Sequence, residues 1–132
     1  MKRVIAVLLF LFSGMLATAQ SDSIKGNQFT LKGRIINKIS LTPDCGYLAF
    51  GTVIEFEIIE FSDTSYAKKN IGVIFTCPEF YEKDFFEIGN VYEMKIADEN
   101  QAEFGWTIPN EKILGKYQLK SKLWVISAKK IE

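Results

Sequence analysis

Hydrophobic and polar positions alternate most clearly over Gly51-Thr-Val-Ile-Glu-Phe-Glu-Ile-Ile-Glu-Phe61. Ile54, Phe56 and Ile58 point one way and Glu55 and Glu57 the other, the period of a half-buried strand. The adjacent Ile58 and Ile59 break that phase, and Phe61 falls in register with Ile59. A one-residue slip turns every later side chain to the opposite face, so the break predicts a β-bulge and a bent strand. Bent strands are what a small closed barrel needs. Phe29-Thr-Leu-Lys-Gly-Arg-Ile35 alternates as well, with Phe29, Leu31 and Ile35 on one face. Gly33 inside it predicts a kink or a close backbone contact. Ile71-Gly-Val-Ile-Phe-Thr-Cys77 reads as a third strand, which Pro78 ends because proline supplies no ladder donor. Val91-Tyr-Glu-Met-Lys-Ile96 is the fourth, with Tyr92, Met94 and Ile96 inward, and the last runs from Lys122 to Ile131.

Between these runs the pattern changes. Thr42-Pro-Asp-Cys-Gly46 is turn chemistry, and Ser62 to Ser65 with Lys68-Lys-Asn70 makes a polar hairpin loop. The segment from Glu79 to Ile88, carrying Phe80, Tyr81, Phe85 and Phe86, suits a short helix or compact turn with one apolar side. From Ala97 to Gly115 comes a long irregular connection containing Phe104-Gly-Trp106 and Ile108-Pro109. The predicted order is three strands, a short helix, and two strands. In that order, in the bent glycine-containing first strands, and in Phe86-Glu-Ile-Gly-Asn-Val-Tyr92 leading into the fourth strand, the chain from Phe29 to Ile131 resembles a small secreted OB-fold-like domain. The resemblance implies an all-β fold, a five-stranded barrel with a short helix between strands three and four. Netrin-like and tissue-inhibitor domains are a looser likeness. The amino-terminal cysteine cluster of those domains is missing here, so protease inhibition does not carry over.

The amino terminus changes the picture of where the barrel works. Met1-Lys-Arg is followed by an unbroken apolar run, Val4 to Phe12, and by Ala17-Thr-Ala19 before Gln20. That is the layout of a secretory signal peptide, and the run is too short to span a bilayer. The expected organisation is a signal peptide over 1–19, a flexible leader over 20–28 and one barrel domain over 29–132. A periplasmic or secreted location follows, with no transmembrane anchor after cleavage. Cleavage would remove Lys2 and Arg3, so the 16 basic residues of the chain become 14 against 16 acidic ones, a net of −2. A chain of this size commonly gains from a covalent staple. In an oxidising compartment Cys45 and Cys77 are the candidates, and the disulfide would stabilise by about 3–4 kcal/mol on the chain-entropy model. Two free thiols or a redox-active pair are the alternatives, but the cysteines are too far apart in sequence for a CxxC motif.

Histidine is absent. That removes Ser-His-Asp and Cys-His catalysis and the commonest ligand for zinc, copper and haem, so no catalytic residue, metal or cofactor is expected. A carboxylate-based hydrolase needs no histidine; its candidates are Glu55 with Glu57, or Glu79, Glu82, Asp84 and Glu87. Glu55 and Glu57 read as residues that solvate the outer face of a strand. Charge is uneven, with acids crowded into 79–103 and lysines into 111–132. Cross-strand pairing accounts for this more simply than a calcium loop, for which the EF-hand spacing is missing. The lysines and Trp124 suggest a single-strand nucleic-acid binder, against which the net charge and export signal argue. The favoured site is the aromatic loop with Phe104, Trp106 and Ile108, either contacting a ligand or folding back to close the barrel. Tyr47, Phe80 and Tyr81 read as packing around the disulfide. The expectation is a non-catalytic interaction module of the cell envelope that contacts a protein or glycan; the oligomeric state is not legible.

Overall fold

The computed structural model describes residues 23–37, 39 and 42–132. The expected signal peptide and its cleavage site lie outside the described residues. Five strands form where the alternation places them: β1 Gln28–Ile35, β2 Gly51–Phe61, β3 Asn70–Thr76, β4 Val91–Ala97 and β5 Trp124–Lys130. They close into a barrel in the order β1-β2-β3-β5-β4, with β4 returning to β1. This is the OB-fold-like architecture expected from the strand order. All neighbouring pairs are antiparallel except β3 with β5, which meet through one parallel bridge, Ile74 with Trp124.

The expected bulge is present. Lys32 pairs with Glu60 and Gly33 pairs with Ile58, so Ile59 is the extra residue on β2. The bulge bends β2, which supplies curvature for the sheet to close. Gly33 sits in this bend because a β-carbon there would lie 2.9 Å from that of Phe56. Inside the barrel, Leu31, Ile35, Ile54, Phe56, Ile71, Val73, Phe75, Tyr92, Met94 and Ile96 form the main core. The Phe56 and Tyr92 rings meet edge to face at 5.9 Å, and the Tyr92 hydroxyl donates to the Phe85 carbonyl, so this buried polar tip is satisfied.

The helix expected between β3 and β4 is a single 3-10 turn, Pro78–Phe80, and a second 3-10 helix, Glu111–Lys116, lies inside the connection expected to be irregular. Tyr81, Phe85 and Phe86 cap one end of the core as a stacked and T-shaped cluster. On the outer face a row of opposed charges crosses four strands: Glu60 faces Lys32, Lys32 faces Glu93, and Glu93 faces Lys129. Glu87 also pairs with Lys130 at 3.6 Å. Cross-strand complementarity of this kind stabilises sheets, and of the acids crowded into 79–103 it engages Glu87 and Glu93. The leader is held at its end: Asn27 donates its N–H to Asp98 Oδ1 at 2.7 Å, and Gln101 brackets Lys25, accepting from its N–H and donating to its carbonyl, both at 2.8 Å. These bonds tie Lys25 and Asn27 to the turn after β4, and β1 starts at Gln28, one residue before the expected start of the barrel domain.

Candidate functional site

The disulfide is formed between Cys45 and Cys77, with Cα atoms 5.6 Å apart. It ties the turn before β2 to the 3-10 turn after β3. Two further bonds reinforce the junction: Cys45 N–H donates to Glu79 Oε1 at 2.7 Å, and Cys77 N–H donates to the Phe50 carbonyl at 3.0 Å. Cys77 adopts a left-handed conformation, φ 43°, unusual for a residue with a side chain. Residues 45–48 and 78–80 are thus fixed side by side.

That junction does not bury its aromatics, contrary to expectation. Tyr47 is 110% exposed, Phe80 is 81% exposed and Leu48 projects into solvent as well. Only Tyr81 packs inward, its ring 5.6 Å from that of Phe75. Tyr47 and Phe80 therefore stand on the solvent side of the two turns that the disulfide joins. Beside this crest lies a concavity of about 500 Å3 lined by Ile39, Phe86 and Ile88 and by four acids, Asp44, Glu79, Glu82 and Asp84. Glu79 Oε2 and Thr42 Oγ1 are buried there with no hydrogen-bond partner among the described residues. The Glu79 carboxylate also lies within 4.8 Å of both cysteine sulfurs, but these sulfurs are bonded to each other.

The 97–115 connection reaches the same end of the barrel. Thr107 bridges Phe50; its N–H donates to the Ala49 carbonyl at 2.8 Å and its carbonyl accepts from Gly51 N–H at 3.0 Å. Asn110 continues this pairing with its side chain: Oδ1 accepts from Val53 N–H at 2.8 Å and Nδ2 donates to the Val53 carbonyl at 2.9 Å. The amide imitates a neighbouring strand and covers the edge of β2 beyond the reach of β1. The three residues singled out in this loop divide accordingly. Ile108, 9% exposed, belongs to a second core cluster with Val53, Ile74 and Trp124. Trp106 packs on that cluster, and its indole N–H donates to Asn100 Oδ1 at 2.9 Å. Phe104 is 56% exposed, its ring 5.1 Å from that of Trp106. Only Phe104 offers most of its surface to a partner.

The reading of Glu55 as a solvating residue is overturned, because its side chain is 5% exposed. Its Oε1 accepts from the Tyr117 hydroxyl and from Lys116 Nζ at 3.1 Å, and its Oε2 accepts from Asn37 Nδ2. Gly72, opposite Glu55 on β3, makes room for this cover, since a β-carbon there would lie 3.1 Å from the Tyr117 ring. Burial pushes the Glu55 carboxyl up, but the hydrogen bonds from Tyr117, Asn37 and Lys116 and the Lys116 charge outweigh it and hold the group below its ordinary 4.5. Burial, and then the Glu55 carboxylate, push the Tyr117 phenol well above its ordinary value. Glu57 stays half-exposed between Arg34 and Lys69. Of the two carboxylate sets, Glu55 and Glu57 are separated into different environments, Glu55 under the 111–117 segment and Glu57 beside Arg34 and Lys69, whereas Glu79, Glu82 and Asp84 line one concavity and Glu87 pairs with Lys130.

No protein-family model, curated protein or solved structure matches the chain.

Proposed function

We propose that the chain is a non-catalytic interaction module acting outside the cytoplasm, and that it contacts an envelope protein through the disulfide-stapled end of the barrel. The observation that carries this reading is the crest of Tyr47, Leu48 and Phe80, with Phe104 on the adjoining loop, all exposed on a covalently fixed frame. Apolar side chains projecting from rigid turns form an interaction surface at low entropic cost. The acids beside the crest, Asp44, Glu82 and Asp84 with the unpartnered Glu79 oxygen, suit a partner that brings basic side chains around an apolar anchor. The disulfide fits an oxidising compartment, and no helix among the described residues is long and apolar enough to cross a membrane.

The other readings draw less support. Both Glu55 oxygens are engaged within the chain, which disfavours its use as a hydrolytic acid or base. In an OB barrel the outer face of strands two and three takes nucleic acid. Here that face is covered by Ile108, Ile113, Leu114 and Tyr117 of the chain itself. A sugar-stacking role for Trp106 competes with its packing on Val53 and Ile74.

Photo-crosslinking tests the proposal. A crosslinker placed at Phe80 should trap one dominant envelope protein, and Tyr47→Ser with Phe104→Ser should reduce the yield at least tenfold without altering thermal stability. Equal yield from the substituted protein would remove the crest as the contact surface.

A further inference from the structure

The other end of β2 carries a different concavity, of about 420 Å3, enclosed by the hairpin loop 62–69, the start of β1 and the 117–123 turn. The volume falls in the range of small-molecule sites, and barrel mouths are a common place for them. Its floor is aromatic. The Phe29 and Phe61 rings lie 5.9 Å apart, and Phe61 and Tyr66 meet edge to face at 5.8 Å. All three are half-buried, one side on the core and the other on the cavity. The Tyr66 hydroxyl is engaged elsewhere, donating to the Asn70 carbonyl at 2.6 Å, so the residue presents its ring to the site.

The rim is polar and electrically balanced, with Lys68 and Lys120 against Asp63 and Asp98. Much of it is already committed. Lys68 Nζ donates to the Lys116 carbonyl at 2.8 Å, both Asp98 oxygens accept from Asn27, and Asp63 Oδ1 accepts from the Ser65 N–H and hydroxyl. The other Asp63 oxygen, the Gln118 amide and the Ser121 hydroxyl face the cavity without a hydrogen bond to another described residue, and the Asp63 carboxyl is held low by the Ser65 bonds and, more weakly, by the charge of the neighbouring Lys120 ammonium. Gln118 is also one of three non-glycine residues described with positive φ, at 49°. That conformation persists where surrounding structure imposes it, and such positions cluster at ligand sites.

An aromatic floor beneath a neutral rim of free donors and acceptors selects a ligand with an apolar face and a hydroxylated edge. A charged ligand would find no net opposing charge. A wholly apolar one would strip water from the free rim groups without replacing their hydrogen bonds. We infer that the barrel mouth binds one ring of a neutral sugar, its C–H face on Phe29, Phe61 and Tyr66 and its hydroxyls on Asp63, Gln118, Ser121 and Lys120. This site is at the far end of β2 from the disulfide crest, and it stands or falls separately from the protein contact.

The test is a titration of the isotope-labelled protein with neutral probes (glucose, galactose and N-acetylglucosamine), followed by backbone amide NMR. At least one sugar should shift the amides of Ser65, Gln118 and Ser121 in a saturable way, leaving Phe104 and Phe80 unmoved. Tyr66→Leu should weaken that binding about fivefold or more. If Tyr66→Leu loses the fold, Gln118→Ala with Ser121→Ala, both exposed, should weaken it about threefold or more. The inference is overturned if no probe saturates, if the shifts centre on Phe104 and Trp106, if cyclohexanol binds the same amides more tightly than every sugar, or if the rim substitutions leave affinity unchanged.

Discussion

The barrel interior and the layer beneath the 98–123 connection are both buried, and they are built on opposite rules. The interior is apolar and assembled by strand alternation, with Phe56, Phe75 and Tyr92 meeting across the axis. The outer layer lies on the far side of β2 and β3. There Val53, Ile74, Ile108 and Trp124 make a small apolar patch, and polar side chains hold the cover in place: Asn110 on Val53, Tyr117 and Lys116 on Glu55, Asn100 on Trp106. Alternation can bury one face of a sheet, but the second face needs a covering segment that has no strand of its own. Its backbone must then be satisfied by side chains. The difference lies in how each would fail: the interior by cavity, the outer layer by unpaired polar groups.

That contrast can be broken most severely from the inside. Phe56→Ala should lower unfolding free energy by about 3–5 kcal/mol in urea titration, the range for truncating a fully buried aromatic. A loss below about 1 kcal/mol would mean that the interior is not the principal core. Asn110→Ala removes both partners of Val53 and should cost about 2–3 kcal/mol. It should also shift Trp106 emission to longer wavelength, measured in a Trp124→Phe background, because the loop detaches from β2.

Glu55→Gln sharpens the comparison through pH. The folded-state carboxyl lies below its ordinary 4.5, so its contribution is complete above that value and is lost as pH falls through the folded-state value. The substitution should therefore cost about 1–3 kcal/mol at neutral pH, and the gap from the native protein should close in acid. Tyr117 acts at the other extreme. Its raised phenol contributes fully below its ordinary 10 and is lost as pH rises through the folded-state value. The smallest effect is expected for Gln101→Ala, below about 1 kcal/mol, with faster amide exchange confined to Lys25 and Asn27.

The interior was legible in the sequence because period-2 alternation is a local signal. Phe56, Met94 and Ile96 stand in it, and the doubled Ile58-Ile59 marked the bulge without reference to any partner. The outer layer was not legible because its cover comes from elsewhere. Glu55 is solvent-facing by its own strand, and besides Asn37 its cover is Lys116 and Tyr117, 61 and 62 positions away in a segment without period. One trace was present: Gly72, a glycine inside a strand otherwise rich in branched residues, where close approach of another group is the usual reason. The exposed crest escaped notice for the opposite reason. Tyr47 and Phe80 look like core residues by type, but they lie outside any alternating run that would fix which way they face.

The parallel bridge of Ile74 to Trp124 also has a kinetic meaning. Every other seam joins strands along a ladder, whereas β3 and β5 are joined at this one pairing, with Ile74 N–H donating to the Leu123 carbonyl at 2.8 Å. A contact between segments distant along the chain carries a loop-closure cost, which pairing of β2 with β3 and of β4 with β5 reduces. A molecule in which it parts, with the remaining ladders intact, is an open, curled sheet with two free margins. The amide proton of Ile74 is accordingly the clock of the closed state: its exchange with solvent measures how often the cylinder unzips, and how long those margins stand ready to pair with a second chain.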